Sequence, residues 1–89
     1  DKFLEISIEP GVKVLVIRMR GVPAMDVTAL RTLKKINATC KKRGITLLLS
    51  HVQEQPYTVM SKAGFVEEVG EENFCVNIDA ALERAASIQ

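Results

Sequence analysis

Tryptophan is absent from this 89-residue chain, and its only aromatic residues are three phenylalanines and one tyrosine. So few rings, none interleaved with basic residues, leave no platform for stacking bases, and a net charge of +1 gives no global pull on a nucleic acid. There is one histidine, His51, and there are two cysteines, Cys40 and Cys75. A single imidazole without a thiol cluster is poor material for a metal site. No Gly-x-Ser-x-Gly or Cys–His pattern accompanies it for nucleophilic catalysis. Two cysteines in apolar surroundings are too few for a disulfide scaffold and read as buried free thiols in a reducing compartment. The five glycines form no phosphate-binding loop, since Gly21 stands alone ahead of its helix. No apolar run approaches the ~18 residues of a membrane span, and no stretch reads as a signal peptide.

What is present is the material of one small soluble domain: 47% apolar and 26% charged residues. A domain of this length is only marginally stable. Its charges are segregated. Arg31, Lys34, Lys35, Lys41, Lys42 and Arg43 fall together, whereas Glu67, Glu68, Glu71, Glu72, Asp79 and Glu83 dominate the last third. Two solvated helix faces account for that pattern, as they usually do.

Along the chain, residues 1 to 9 fit either an alternating strand or one face of a helix, and Pro10-Gly11 ends whichever forms. Val12 to Met19 is a nearly unbroken β-branched run, the mark of a strand inside a sheet covered on both faces. Gly21 and Pro23 turn the chain. From Val27 the apolar spacing becomes helical through Ala29, Leu33, Ile36 and Cys40, ending at about Arg43 with Gly44 to stop it. Asp26 suits the N-cap of this helix, and Thr28 adds a hydroxyl in the first turn. Ile45 to Leu49 is a second strand, so the whole reads as a βαβ unit with parallel strands. Pro56 opens a helix that Gly64 closes. Phe65-Val66 and Phe74 to Val76 are expected to supply a third strand region around an acidic loop at Gly70. Asn77 caps a last helix with Ile78, Ala81, Leu82, Ala85 and Ala86 on its apolar side.

His51 lies in the polar loop after the second strand, at the sheet edge where α/β proteins bind ligands, yet alone it reads as a solvent-facing loop residue. The Glu67-Glu68 and Glu71-Glu72 pairs read as exposed acidic loops. Spacing and composition therefore stop at a small, non-enzymatic α/β domain whose best candidate site is the helix start at Asp26.

The run Val14-Leu15-Val16-Ile17-Arg18-Met19-Arg20-Gly21-Val22-Pro23-Ala24-Met25-Asp26-Val27-Thr28-Ala29-Leu30 resembles the central segment of a STAS domain, the fold shared by sulfate transporters and anti-sigma-factor antagonists. The pattern Arg-x-Arg-x-Val-Pro-x-Met-Asp-x-Thr, followed by a helix ending Lys42-Arg43-Gly44, is similar to the sulfate permease (SulP) branch. Ala63-Gly64-Phe65, Glu71 to Phe74 and Asn77 to Leu82 extend the likeness, which covers roughly residues 12 to 86.

The resemblance implies a STAS-like α/β fold with a small, mostly parallel sheet and helices packed on it. It makes residues 1–89 a single domain, an N-terminally shortened piece of a larger membrane transporter, on the cytoplasmic face of the inner membrane. In that setting the domain regulates or assembles an anion transporter and catalyses nothing. Its implied partners are the transmembrane domain of the same transporter, cytosolic regulatory proteins and a second copy of itself, with no nucleic acid. No cofactor is implied, and nucleotide binding stays open.

The implied contact surface for a protein or an anion is Gly21, Val22, Pro23, Asp26, Thr28, Arg31, Lys34 and Lys35. Two departures bear on it. The residue after the motif's aspartate, a phosphorylatable serine in the anti-sigma antagonists, is Val27. The phosphate switch is thus absent from its usual place and Thr28 becomes the candidate phosphoacceptor. A free-standing antagonist-like signalling protein is accordingly the alternative reading. Ala29 stands where the motif has glycine. The resemblance also favours helix for residues 1 to 9, and it predicts missing strands and an exposed sheet edge that another copy could cover.

Overall fold

In a computed structural model describing residues 12–88, three strands form one parallel sheet. The elements run β1 (Val14–Arg18), α1 (Val27–Lys42), β2 (Thr46–Ser50), α2 (Glu54–Lys62), α3 (Phe65–Val69), a 3₁₀ turn (Glu71–Asn73), β3 (Phe74–Cys75) and α4 (Ile78–Ile88). The α/β class and the parallel βαβ unit are as expected. The expectations for residues 1 to 9 and their successor Pro10-Gly11 lie outside the described residues.

β2 is central. Val14 pairs with Thr46 and Arg18 with Ser50 along one side, while Leu49 and Ser50 pair with Phe74 and Cys75 along the other. Side chains alternate across a strand, so β2 feeds two cores. Leu47 and Leu49 join Ile17, Met25, Leu30, Leu33, Cys40, Met60 and Phe65 beneath α1, α2 and α3. Leu48, fully buried and out of phase with them, faces the side on which α4 packs through Ala81 and Ala85. Among the described residues β1 is an edge strand, and Val14, Leu15 and Val16 are only half-buried, so the doubly buried strand is β2.

The helix ends obey local chemistry. Asp26 caps α1. At the other end Gly44, at φ +71°, gives its N–H to Lys41 O (3.3 Å), and Ile45 gives its own to Cys40 O (2.8 Å). These two bonds close a Schellman motif, with Lys41 and Lys42 beside the negative end of the helix dipole. Asn77 Oδ1 accepts from Ala80 N–H (2.8 Å) to start α4.

Three expectations need correction. Phe65-Val66 is helical, not strand. Gly64 turns the chain at φ +76°, and Phe65, Val66 and Val69 then bury one helical face at positions i, i+1 and i+4. Only Phe74 and Cys75 pair as strand. On α4 the buried stripe is Ala81 and Ala85, while Leu82 and Ala86 are exposed, because small residues alone let the helix approach the sheet. Both cysteines are free, but only Cys40 is buried; Cys75 is half-buried. Burial pushes the Cys40 thiol up in pKa, against the opposing charge of Arg43.

Leu33→Ala, at a fully buried position, is expected to lower unfolding stability by about 2–5 kcal/mol in urea titration, whereas Leu82→Ala stays within about 0.5 kcal/mol of the parent. Comparable losses would put Leu82 in the core after all. A disulfide reagent should modify Cys75 in the native protein and reach Cys40 only on unfolding, as mass analysis of timed samples would register.

Candidate functional site

Parallel strands β1 and β2 both run toward the same edge of the sheet, so the loop leaving each ends up there. The first carries Gly21 to Asp26 into α1. The second carries His51 to Gln53 into α2. Their adjacency is enforced by hydrogen bonds across a separation of some thirty residues. Gln55 Oε1 accepts from Met25 N–H (2.7 Å) while Gln55 Nε2 donates to Met25 O (3.3 Å). Gln53 Nε2 donates to Arg20 O (2.6 Å). The primary amides thus take the place of a neighbouring strand for a loop whose backbone has no ladder partner of its own. Gln53 occupies the N-cap position of α2 but gives that helix no side-chain bond, its amide being committed to Arg20.

At the start of α1, Asp26 has extended backbone and its Oδ1 accepts from Ala29 N–H (2.9 Å), the expected cap. Thr28 is exposed, and it is its carbonyl that is engaged, accepting from Thr32 Oγ1 at 3.1 Å. Gly21, Val22 and Pro23 line an open concavity of ≈ 430 Å³ with Arg18 and Ala24. Pro23 also borders a neighbouring hollow formed with Gln53, Glu54, Gln55 and Thr58, and so stands as a ridge between two depressions. Val22 is half-buried against the core, and Met25 is buried, which anchors the loop at both ends.

Arg31, Lys34 and Lys35 continue from this start along α1. A rotation of about 100° per residue puts Val27, Arg31, Lys34, Lys35, Ala38, Lys41 and Lys42 on one side, opposite buried Leu33 and Cys40. The structure therefore brings the eight predicted residues into one continuous region, with the loop at one end and the basic face leading away from it. The residues missed by sequence reasoning are Arg18, which borders the concavity, and the two glutamines. Their signal was available: Gln53 and Gln55 follow the second strand of a βαβ unit, whose exit loops share an edge.

His51 is exposed and adopts φ +54°, a conformation in which histidine is one of the tolerated residues. Its N–H donates to Cys75 O (2.9 Å), extending the β2–β3 ladder. Among the described residues no three metal-ligating side chains gather. What the site offers is a rigid backbone loop beside a cationic helix face.

The family model of the STAS domain matches residues 1–85. This chain belongs to the STAS domain family. It is similar to the crystal structure of a sulfate transporter family protein from Wolinella succinogenes, with 41% identity and a TM-score of 0.86 over 91% of this chain and 66% of that one. It is likewise similar to the SulP transporter STAS domain from Vibrio cholerae, at 34% identity and a TM-score of 0.82, over 91% of this chain and 63% of that one. In Arabidopsis thaliana it matches the probable sulfate transporter 4.2, at 30% identity over 78% of this chain, and the chloroplastic sulfate transporter 4.1, at 27% over 93%. This STAS chain spans 10% and 12% of those two transporters and under two thirds of the Vibrio domain. No described helix is long and apolar enough to cross a membrane.

Gln55→Ala should cost this STAS domain about 1–2 kcal/mol and speed hydrogen exchange at the Met25 amide, which it leaves without its acceptor. Asp26→Ala should cost about 1 kcal/mol, with faster exchange at Ala29. Unchanged exchange at both amides would show that neither side chain holds the loop.

Proposed function

We propose that this STAS domain is a regulatory and assembly domain of a SulP-type anion transporter, facing the cytoplasm and carrying out no chemistry of its own. Its working surface is the loop Gly21–Pro23 with the first turns of α1, through Asp26, Thr28, Arg31, Lys34 and Lys35. The observation that carries this reading is the bracing of that loop. Three amide hydrogen bonds from Gln53 and Gln55 hold an exposed, non-ladder backbone in one shape, and a contact surface needs that preorganisation.

The occupant is better read as a protein than as a free anion. A helix N-terminus attracts anions through its unpaired N–H groups and dipole, but here the Asp26 carboxylate already sits among them. The transmembrane part of the same transporter and cytosolic regulators are the partners that fit. Thr28, exposed in the first turn, is the side chain through which phosphorylation would change that contact, since Val27 beside it has no hydroxyl.

The test begins in the source cell. An antibody raised to this domain should detect a polypeptide several times larger than the chain, one that stays with the membranes through a carbonate wash. A soluble band of the chain's own size would replace the transporter reading with a free-standing signalling domain. With candidate partners in hand, amide shifts on titration should concentrate in residues 21–35. Shifts confined to α4 would move the contact surface elsewhere.

A further inference from the structure

The charged residues of α1 are all of one sign. Its sixteen residues include Arg31, Lys34, Lys35, Lys41 and Lys42 and no acid, and Arg43 follows at its C-cap. All but the half-buried Lys34 are exposed, and helical rotation sets the five within the helix on its solvent side, along a length of about 17 Å. Apart from Asp26 at the N-cap of α1, the described acids lie on other elements: Glu54 on α2, Glu67 and Glu68 on α3, Glu71 and Glu72 on the 3₁₀ turn, and Asp79 and Glu83 on α4, all exposed. A net charge of +1 thus conceals a segregation of charge between elements.

We propose that the solvent face of α1 lies against the anionic headgroups of a lipid bilayer and orients the domain beneath it. This rests on the transporter reading above, which puts a bilayer within reach of the domain. Charge complementarity supplies the attraction, and the make-up of the face selects the occupant. At the helix start the Gly21–Pro23 loop and Val27 give the protein contact proposed above its anchors, and Arg31, Lys34 and Lys35 border both surfaces. Further along the helix a specific protein interface would again need a dry centre with aromatic or large apolar anchors. Between the cations of α1 lie only Ala38 and, at one end, Val27; no aromatic residue occurs in the helix. A flat, evenly cationic ridge without an anchor fits a diffuse field of headgroups, where each Lys or Arg adds attraction and no shape match is required. The same surface repels the acids on α3 and the 3₁₀ turn, so contact through α1 is favoured over contact through those elements.

The experiment is flotation of the 89-residue chain with vesicles of phosphatidylcholine alone or with about 30 mol% phosphatidylserine, at salt concentrations of about 0.05 M and about 0.3 M. The expected result is binding to the serine-containing vesicles only, weakening at high salt. Lys35→Glu/Lys42→Glu should weaken it at least tenfold, while Glu71→Lys/Glu72→Lys binds no less than the parent. Circular dichroism of both variants confirms that these exposed positions leave the fold intact. Equal binding by the Lys35/Lys42 variant, or binding to phosphatidylcholine alone, would overturn the proposal. So would absence of vesicle binding together with salt-sensitive capture of poly-glutamate by the same face, which would make the partner an acidic protein. A carbonate-resistant transporter-sized polypeptide whose STAS domain ignores anionic vesicles would sink this inference and leave the transporter reading standing.

Discussion

Five residues of β1 lie in parallel register with five of β2, and that pairing constrains everything else. Parallel strands require a crossover, which α1 supplies, and both strands then discharge their loops at the same edge. The loop at Gly21 has no ladder partner because β1 has ended, yet its polar groups still need satisfying. Gln53 at the end of the other loop and Gln55 in the first turn of α2 satisfy them, both brought alongside by the parallel pairing. The candidate site is therefore a consequence of topology before it is a matter of particular side chains.

The same pairing divides the core. β2 is buried on both faces, with Leu47 and Leu49 on one side and Leu48 on the other, and the helices differ accordingly. α1 approaches with large residues, whereas α4 comes in on Ala81 and Ala85. Its far connection is polar: buried Asn73 donates to Val69 O at 2.7 Å and accepts from Arg84 Nε at 2.8 Å, tying the acidic segment to the last helix. That tie lets four exposed glutamates sit on short, tight elements instead of a loose loop.

Local signals made the βαβ unit legible. The β-branched run of β1, the helical spacing from Ala29 to Cys40, Asp26 as cap and Gly44 as stop each act within a few residues, and each stands where it was expected. Phe65-Val66 misled because an apolar pair fits a strand as well as one turn of helix. Gly64 reads equally well as the end of α2 and as the left-handed link into α3. Leu82 misled because spacing alone does not say which stripe of a helix faces a sheet when the contact demands small residues. The glutamine brace was harder still, since it links residues thirty apart and depends on parallel pairing being known first. The STAS motif itself was readable as a resemblance, and the family match agrees with it.

The residue after the α1 N-cap bears on what sort of regulation the proposed role allows. In the anti-sigma-factor antagonists a phosphorylatable serine follows the motif's aspartate, so a carboxylate at the cap is compatible with a phosphate switch and the hydroxyl decides. Here Asp26 engages Ala29 N–H, and the position after it is Val27, 61% exposed and without a hydroxyl. An exposed valine at a helix start favours contact with an apolar group over display of a charge. Phosphate on Thr28 would stand beside the Asp26 carboxylate and be opposed by it, although the helix dipole would favour it. The two effects compete at one turn of helix. On the contact role proposed above, this helix start suits constant docking, with modification of Thr28 loosening a contact more readily than creating one.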